Sequence, residues 1–166
     1  MFAVAVMLLA LLGLFQTNEG SSLFLEVDSS GSAALCIPER DRQTGKYIRV
    51  IDGDTAEFEI EGVRYRVRYI GVNTPEKGQA YYKEAKEYNE RLLQSGEIVL
   101  YKDVSETDRY GRLLRYVKAG NVFVNYDLVK NGYAQVMTLP PDVSCSETFL
   151  NAQEFAISAK RGLWKE

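Results

Sequence analysis

The sequence predicts a small α+β domain: a five-stranded Greek-key β-barrel of the OB type with three α-helices, preceded by an apolar N-terminal segment. Three observations carry this. Apolar and polar residues alternate with period two between residues 47 and 72, interrupted by Asp-Gly and Glu-Gly turns. Two stretches, 79–93 and 144–162, instead repeat apolar residues at helical spacing. The order of elements is three meandering strands, a helix, two strands and then helices.

Each element has its own signal. Residues 47–51 form the first strand, and Asp52-Gly53-Asp54 turns the chain. Residues 55–60 form the second, closed by Glu61-Gly62. Residues 63–72 form the third, with Val63, Tyr65, Val67 and Tyr69 on one face and Arg64, Arg66 and Arg68 on the other. Tyr81, Ala85, Tyr88 and Leu92 mark a helix over 79–93 that Ser95-Gly96 stops. Residues 97–101 and 112–118 read as strands, with a polar loop over 103–111 between them. A short helix over 125–130 ends at Asn131-Gly132, residues 133–137 are extended, and Pro140-Pro141 breaks the chain. Ser144 and Glu147 are spaced as a capping box for a last helix, whose stripe is Phe149, Ala152, Ala156 and Ala159 before Gly162.

Three regions divide the 166 residues: 1–15, 16–35 and 36–166. The first is uninterruptedly apolar, too short for a typical membrane span and suited to a signal-peptide core or a membrane anchor. A buried core helix is the structural alternative. Leu35 before Cys36 argues against lipidation, which needs a small residue there. Residues 16–35 read as a flexible Ser/Gly/Asn/Glu linker, and 36–166 as the folded domain. An exported protein, secreted or anchored outside the cytoplasm, and monomeric, is therefore expected.

Composition then removes whole classes of chemistry. Histidine is absent, which excludes imidazole bases and imidazole metal ligands. Carboxylates, guanidiniums, ammoniums, hydroxyls and an oxygen-bound hard metal remain. The net charge is −3, but residues 1–38 hold three acids and no base, leaving 20 basic against 20 acidic residues in the rest. A nucleic-acid site would be a local basic patch. The two cysteines, Cys36 and Cys145, match no zinc spacing. Two readings stay open for them: one disulfide tying the N-terminal arm to the loop before the last helix, or two separate thiols.

Three stretches carry candidate chemistry. Val50-Ile51-Asp52-Gly53-Asp54-Thr55 places two carboxylates on a turn at a strand end, a corner suited to a hard metal. Arg68-Tyr69-Ile70-Gly71-Val72-Asn73-Thr74-Pro75-Glu76 adds a guanidinium, oxygen ligands and an acid. Asp108-Arg109-Tyr110-Gly111-Arg112 offers two guanidiniums for phosphate. Each alone is an ordinary solvated feature. Together they describe phosphodiester hydrolysis without histidine. A cation and guanidiniums neutralise the anion and its transition state, and a carboxylate activates water.

These stretches, in this order, resemble the staphylococcal nuclease (thermonuclease) family over roughly residues 45–164, including Arg161-Gly162-Leu163-Trp164. The resemblance implies the family's OB barrel with three helices, one calcium ion, and cleavage of DNA or RNA at the 5′-oxygen bond to leave 3′-phosphate ends. It implies that Asp54, Asn73 and the Thr74 carbonyl hold the metal and that Asp52 holds metal-bound water. Glu76 would activate water, Arg68 and Arg112 would grip the phosphate, and Arg109 and Tyr110 would lie near a terminal phosphate. Asn73 departs from the pattern, standing where the family has an aspartate, so calcium should bind more weakly. The loop after Glu76 is shorter, and Met137-Thr138-Leu139 lacks base-stacking tyrosines. The competing reading is a non-catalytic OB-fold module that only binds nucleic acid. The joint presence of Asp54, Arg68, Glu76 and Arg112 favours catalysis.

Overall fold

A computed structural model describes residues 33–165. The apolar segment 1–15 and most of the 16–35 stretch lie outside the described residues. Among the described residues, eight strands and three α-helices follow in the order β1 (Arg42–Asp52), β2 (Thr55–Ile60), β3 (Val63–Tyr69), β4 (Gly71–Asn73), α1 (Tyr82–Leu93), β5 (Ile98–Tyr101), β6 (Leu113–Ala119), β7 (Val122–Phe123), α2 (Val124–Lys130), β8 (Gln135–Met137) and α3 (Ser146–Ser158). Short 3₁₀ turns stand at Ala34–Cys36 and Gly162–Trp164.

Strands β1, β2, β3, β6 and β5 close a barrel. β1 pairs antiparallel with β2 and with β5, β2 with β3, and β5 with β6. Closure comes from a parallel pairing between the end of β3 and the start of β6, with Val67 opposite Leu113, Arg68 opposite Leu114 and Tyr69 opposite Arg115. This is the five-stranded OB-type barrel with three helices that the sequence order predicts. Phe58, Val67, Leu100 and Val117 are wholly buried inside it. Burying such a side chain is worth roughly 1.5–3 kcal/mol.

Several boundaries differ from the sequence expectation. β1 begins at Arg42, five residues early, because its first residues pair with β5. The alternating run 63–72 is two strands. Gly71 adopts a positive φ of 78°, and a Cβ there would stand 2.6 Å from the Phe149 ring. The chain therefore bends at Ile70, and β4 leaves the barrel to pair with β8. Asn125 Nδ2 holds the bend by donating to the Ile70 carbonyl (2.9 Å). α1 begins at Tyr82 rather than 79, after Tyr81 at φ 65°. The capping box does not form: α3 begins at Ser146 without a side-chain cap. The Ser144 hydroxyl donates instead to Asp103 Oδ1 at 2.8 Å, a charged and stronger acceptor. The buried stripe stops at Ala156, and Ala159 is exposed.

The arm before β1 is packed down, with Ala33 and Ile37 buried against the core. Cys36 is bonded to Cys145, their Cα atoms 5.0 Å apart. Among the described residues, no helix is long and apolar enough to cross a membrane.

Candidate active site

Closure of the barrel builds the site. Because β3 and β6 run parallel at their contact, Arg68 near the end of β3 reaches the residues entering β6. Arg68 and Arg112 line one cavity of about 120 Å³, with Asp108, Ile70, Leu114 and Met137. Arg112 also lines a wider adjoining groove, together with Glu76 and Tyr110. Arg112 thus joins the two.

On one side, the β1–β2 turn presents Asp54, buried at 5% exposure. Asp54 Oδ2 accepts the Thr74 N–H at 2.8 Å and lies 3.2 Å from Arg68 Nη2. Asp54 Oδ1 accepts the Thr55 hydroxyl at 3.1 Å. The same Arg68 Nη2 donates to Asn73 Oδ1 at 3.2 Å, and Nη1 donates to the Tyr69 carbonyl at 2.6 Å. Asp54, Asn73 and Arg68 therefore meet at one point, with Thr74 buried beside them. Gly53 permits this approach: a Cβ there would stand 2.7 Å from the Thr74 side chain. Asp52 supports the turn by accepting the Asp54 N–H at 3.3 Å. Burial and the nearby Asp54 charge push the Asp52 carboxyl up to about 6.

The donors at this corner suit a hard divalent cation. Asp54 Oδ2 and Asn73 Oδ1 are both hard oxygens and converge within 3.2 Å of a single cationic nitrogen. Among the described residues no three acidic, histidine or cysteine side chains gather as a metal cluster. An amide at residue 73 leaves the corner lighter in negative charge.

On the other side, a turn locks Arg112. Asp108 Oδ1 accepts the N–H groups of Tyr110 (2.9 Å) and Arg112 (3.0 Å). Asp108 Oδ2 takes Arg112 Nε and Nη2, each at 2.7 Å. Partial burial alone would raise the Asp108 carboxyl, but these hydrogen bonds and the Arg112 charge outweigh it and hold it below its ordinary range. Sequence alone assigns Asp108 no role. Its signal was an Asp two residues before a Tyr-Gly turn, the spacing for side-chain bonds to following backbone N–H groups.

Arg109 lines neither cavity. It stacks on the Tyr110 ring, its guanidinium carbon 4.8 Å from the centroid, and Nη2 donates to the Tyr110 hydroxyl at 2.7 Å. Glu76 is exposed and lines the groove; its N–H donates to Gln79 Oε1 at 2.7 Å, which fixes the backbone there.

Two further buried polar groups were not anticipated. Asn89 of α1 accepts the Tyr69 hydroxyl (3.0 Å) and donates to the Asp52 carbonyl (3.1 Å), bracing the turn that carries Asp54. Arg115, 2% exposed, binds Glu106 and Gln43 across the barrel.

A family model described as staphylococcal nuclease homologue matches residues 66–166. The chain belongs to the staphylococcal nuclease family. It is 38% identical over 130 residues to a thermonuclease of Staphylococcus hyicus, covering 75% of this chain and 77% of that protein. It is 35% identical over 123 residues to a thermonuclease of Staphylococcus intermedius, covering 70% and 73%. It is 34% identical over 126 residues to the endonuclease YncB of Bacillus subtilis, covering 71% and 60%. The family match thus runs from within β3 through all three described helices.

Proposed function

We propose that this nuclease cleaves DNA or RNA internally with one calcium ion, at the 5′-oxygen bond, leaving 3′-phosphate ends. One observation carries the reading: Arg68 and Arg112, far apart in sequence, face one cavity, while Glu76 shares the adjoining groove with Arg112. Asp54, Asn73 and the Thr74 carbonyl would hold the ion. When bound, the ion supplies Lewis-acid neutralisation of the phosphate. Arg68 and Arg112 hold the non-bridging oxygens as negative charge grows on them. Asp54 holds Arg68 in place, as Asp108 does Arg112, so neither guanidinium must reorganise during the reaction. Glu76 takes a proton from the attacking water. Ile70, Leu114 and Met137 make the cavity partly apolar, a surface against which a base can rest.

The test is cleavage of denatured DNA with and without calcium. Glu76→Gln should lower kcat by about 10²–10⁴-fold. Equal rates for Glu76→Gln and the parent would overturn the assignment, and binding without cleavage would leave the non-catalytic module. We also propose export, supported by the Cys36–Cys145 bond, since disulfides persist in oxidising compartments. Mass analysis of the mature N-terminus tests this: an intact Met1 in a cytosolic fraction would contradict it.

A further inference from the structure

β3 is paired on both sides only over its last residues. Val63 to Arg68 pair with β2, but β6 joins only at Val67. Residues 63–66 therefore form a free sheet edge with backbone groups that no strand covers. The groove that contains Glu76 and Arg112 runs along this edge. Arg64, Tyr65, Arg66 and Tyr110 line it with them, around about 590 Å³. Successive strand residues point to opposite faces, so three in a row lining one groove means that it follows the edge.

The chemistry of the groove is specific. Tyr65 is 38% exposed and Tyr110 68% exposed. The Tyr110 ring is already approached by Arg109 at 4.8 Å and Arg112 at 5.6 Å, which leaves Tyr65 as the open aromatic surface. Arg66 is balanced by Glu57 at 3.4 Å, and Glu57 also holds Arg49 at 2.7 Å. Among the described residues no carboxylate stands within ion-pair distance of Arg64. Glu59 stands opposite Arg64 in the β2–β3 register, outside ion-pair distance. A guanidinium held in no ion pair, next along the strand to an exposed ring and lining the groove of Glu76 and Arg112, matches a phosphate followed by an unstacked base.

We propose that the β3 edge is an additional nucleotide subsite, where Arg64 binds a phosphate and Tyr65 stacks a base of a single strand extending beyond the cleaved bond. This rests on the nuclease reading. It deepens that reading by naming where a strand longer than a dinucleotide would continue past the cleaved bond, with an unpaired base free to stack on Tyr65.

Cleavage kinetics on a dinucleotide and an octanucleotide of single-stranded DNA test it, with Tyr65→Ala, Tyr65→Phe, Arg64→Gln and, as a charge control at the C-terminal end, Lys165→Gln. Tyr65→Ala should raise KM for the octanucleotide by about tenfold, the size of one lost base stack. The dinucleotide KM should stay put, and Tyr65→Phe should restore the octanucleotide value. Arg64→Gln should flatten the log–log salt dependence of octanucleotide binding by about 0.7, one single-strand phosphate contact. Lys165→Gln should leave that slope unchanged. Matching melting temperatures establish that the variants are folded. Equal KM changes for both substrates, or none for either, overturn the subsite. If the parent cleaves nothing, the nuclease reading fails. The subsite is then decided by equilibrium binding of a fluorescent octanucleotide, where unchanged affinity in Tyr65→Ala and Arg64→Gln overturns it.

Discussion

Asn73 offers an amide oxygen 3.2 Å from Arg68 Nη2, at a position where the staphylococcal nuclease pattern carries aspartate. Restoring the charge with Asn73→Asp should tighten calcium by about tenfold, or ~1.4 kcal/mol, read from a calcium titration of activity. An unchanged midpoint would remove residue 73 from the metal corner. Asp108 governs the opposite wall. Asp108→Asn weakens its hold on Arg112 and should cut kcat roughly ten- to a hundredfold through misplacement of the guanidinium. It also changes pH behaviour. The Asp108 carboxyl is held below its ordinary 3.8, so its stabilisation is fully present above that value and is lost as pH falls through the lower folded-state value. Urea midpoints should therefore fall less steeply in Asp108→Asn than in the parent below about pH 4. At this scale the sequence was only partly legible. Arg68 belongs to a row of arginines that reads as solvated, and the parallel contact with β6 is what buries it to 7% exposure. Asp108 was visible only as one acid among many, because its role depends on the turn that it folds.

Elements were more legible where their signals are local. The β2–β3 hairpin follows from alternation and its Glu-Gly turn, and the pairing of Thr55 with Arg68 through to Ile60 with Val63 has the expected register. Non-local demands shifted the rest. Helix α1 buries Ala85, Asn89, Leu92 and Leu93, while Tyr88 stacks on Tyr133 with centroids 4.4 Å apart. Asn89 broke the apolar pattern, and its partners, Tyr69 and Asp52, lie on two other elements. The contact between the β1–β2 turn and the end of β4 is equally non-local, and Gly53 is its pivot. Gly53→Ala pushes a methyl group against Thr74, with a cost of about 1–3 kcal/mol for overpacking. Thermal unfolding should show that loss, and calcium affinity should fall with it as the 2.8 Å bond between Thr74 and Asp54 lengthens. A variant with parental affinity would mean that the turn is not what sets the corner.

Over the whole molecule, the Cys36–Cys145 bond spans 109 residues and fastens the arm before β1 to the start of α3. Spacing alone left that pairing open, since only the fold brings the two residues together. Closing a loop of this size is worth about 4.7 kcal/mol in the chain-entropy account. Reduced protein should be less stable by up to that amount, read as a lower urea midpoint than that of oxidised protein at equal pH. Identical midpoints would mean that the bond constrains little. The bond is braced from β6: Tyr116 donates to Asp103 at 2.9 Å, and its hydroxyl accepts the Cys145 N–H at 3.3 Å.

The parallel seam between β3 and β6 has a consequence for synthesis. A growing chain that has emerged only through β4 already contains Asp54, Arg68 and Asn73, yet Arg112 and the strand that follows it are still inside the ribosome. The cavity lined by Arg68 and Arg112 does not exist until the seam is zipped. A chain of this nuclease family is thus translated without the pairing of Arg68 and Arg112, and the step that shuts its barrel is the step that brings the two guanidiniums together.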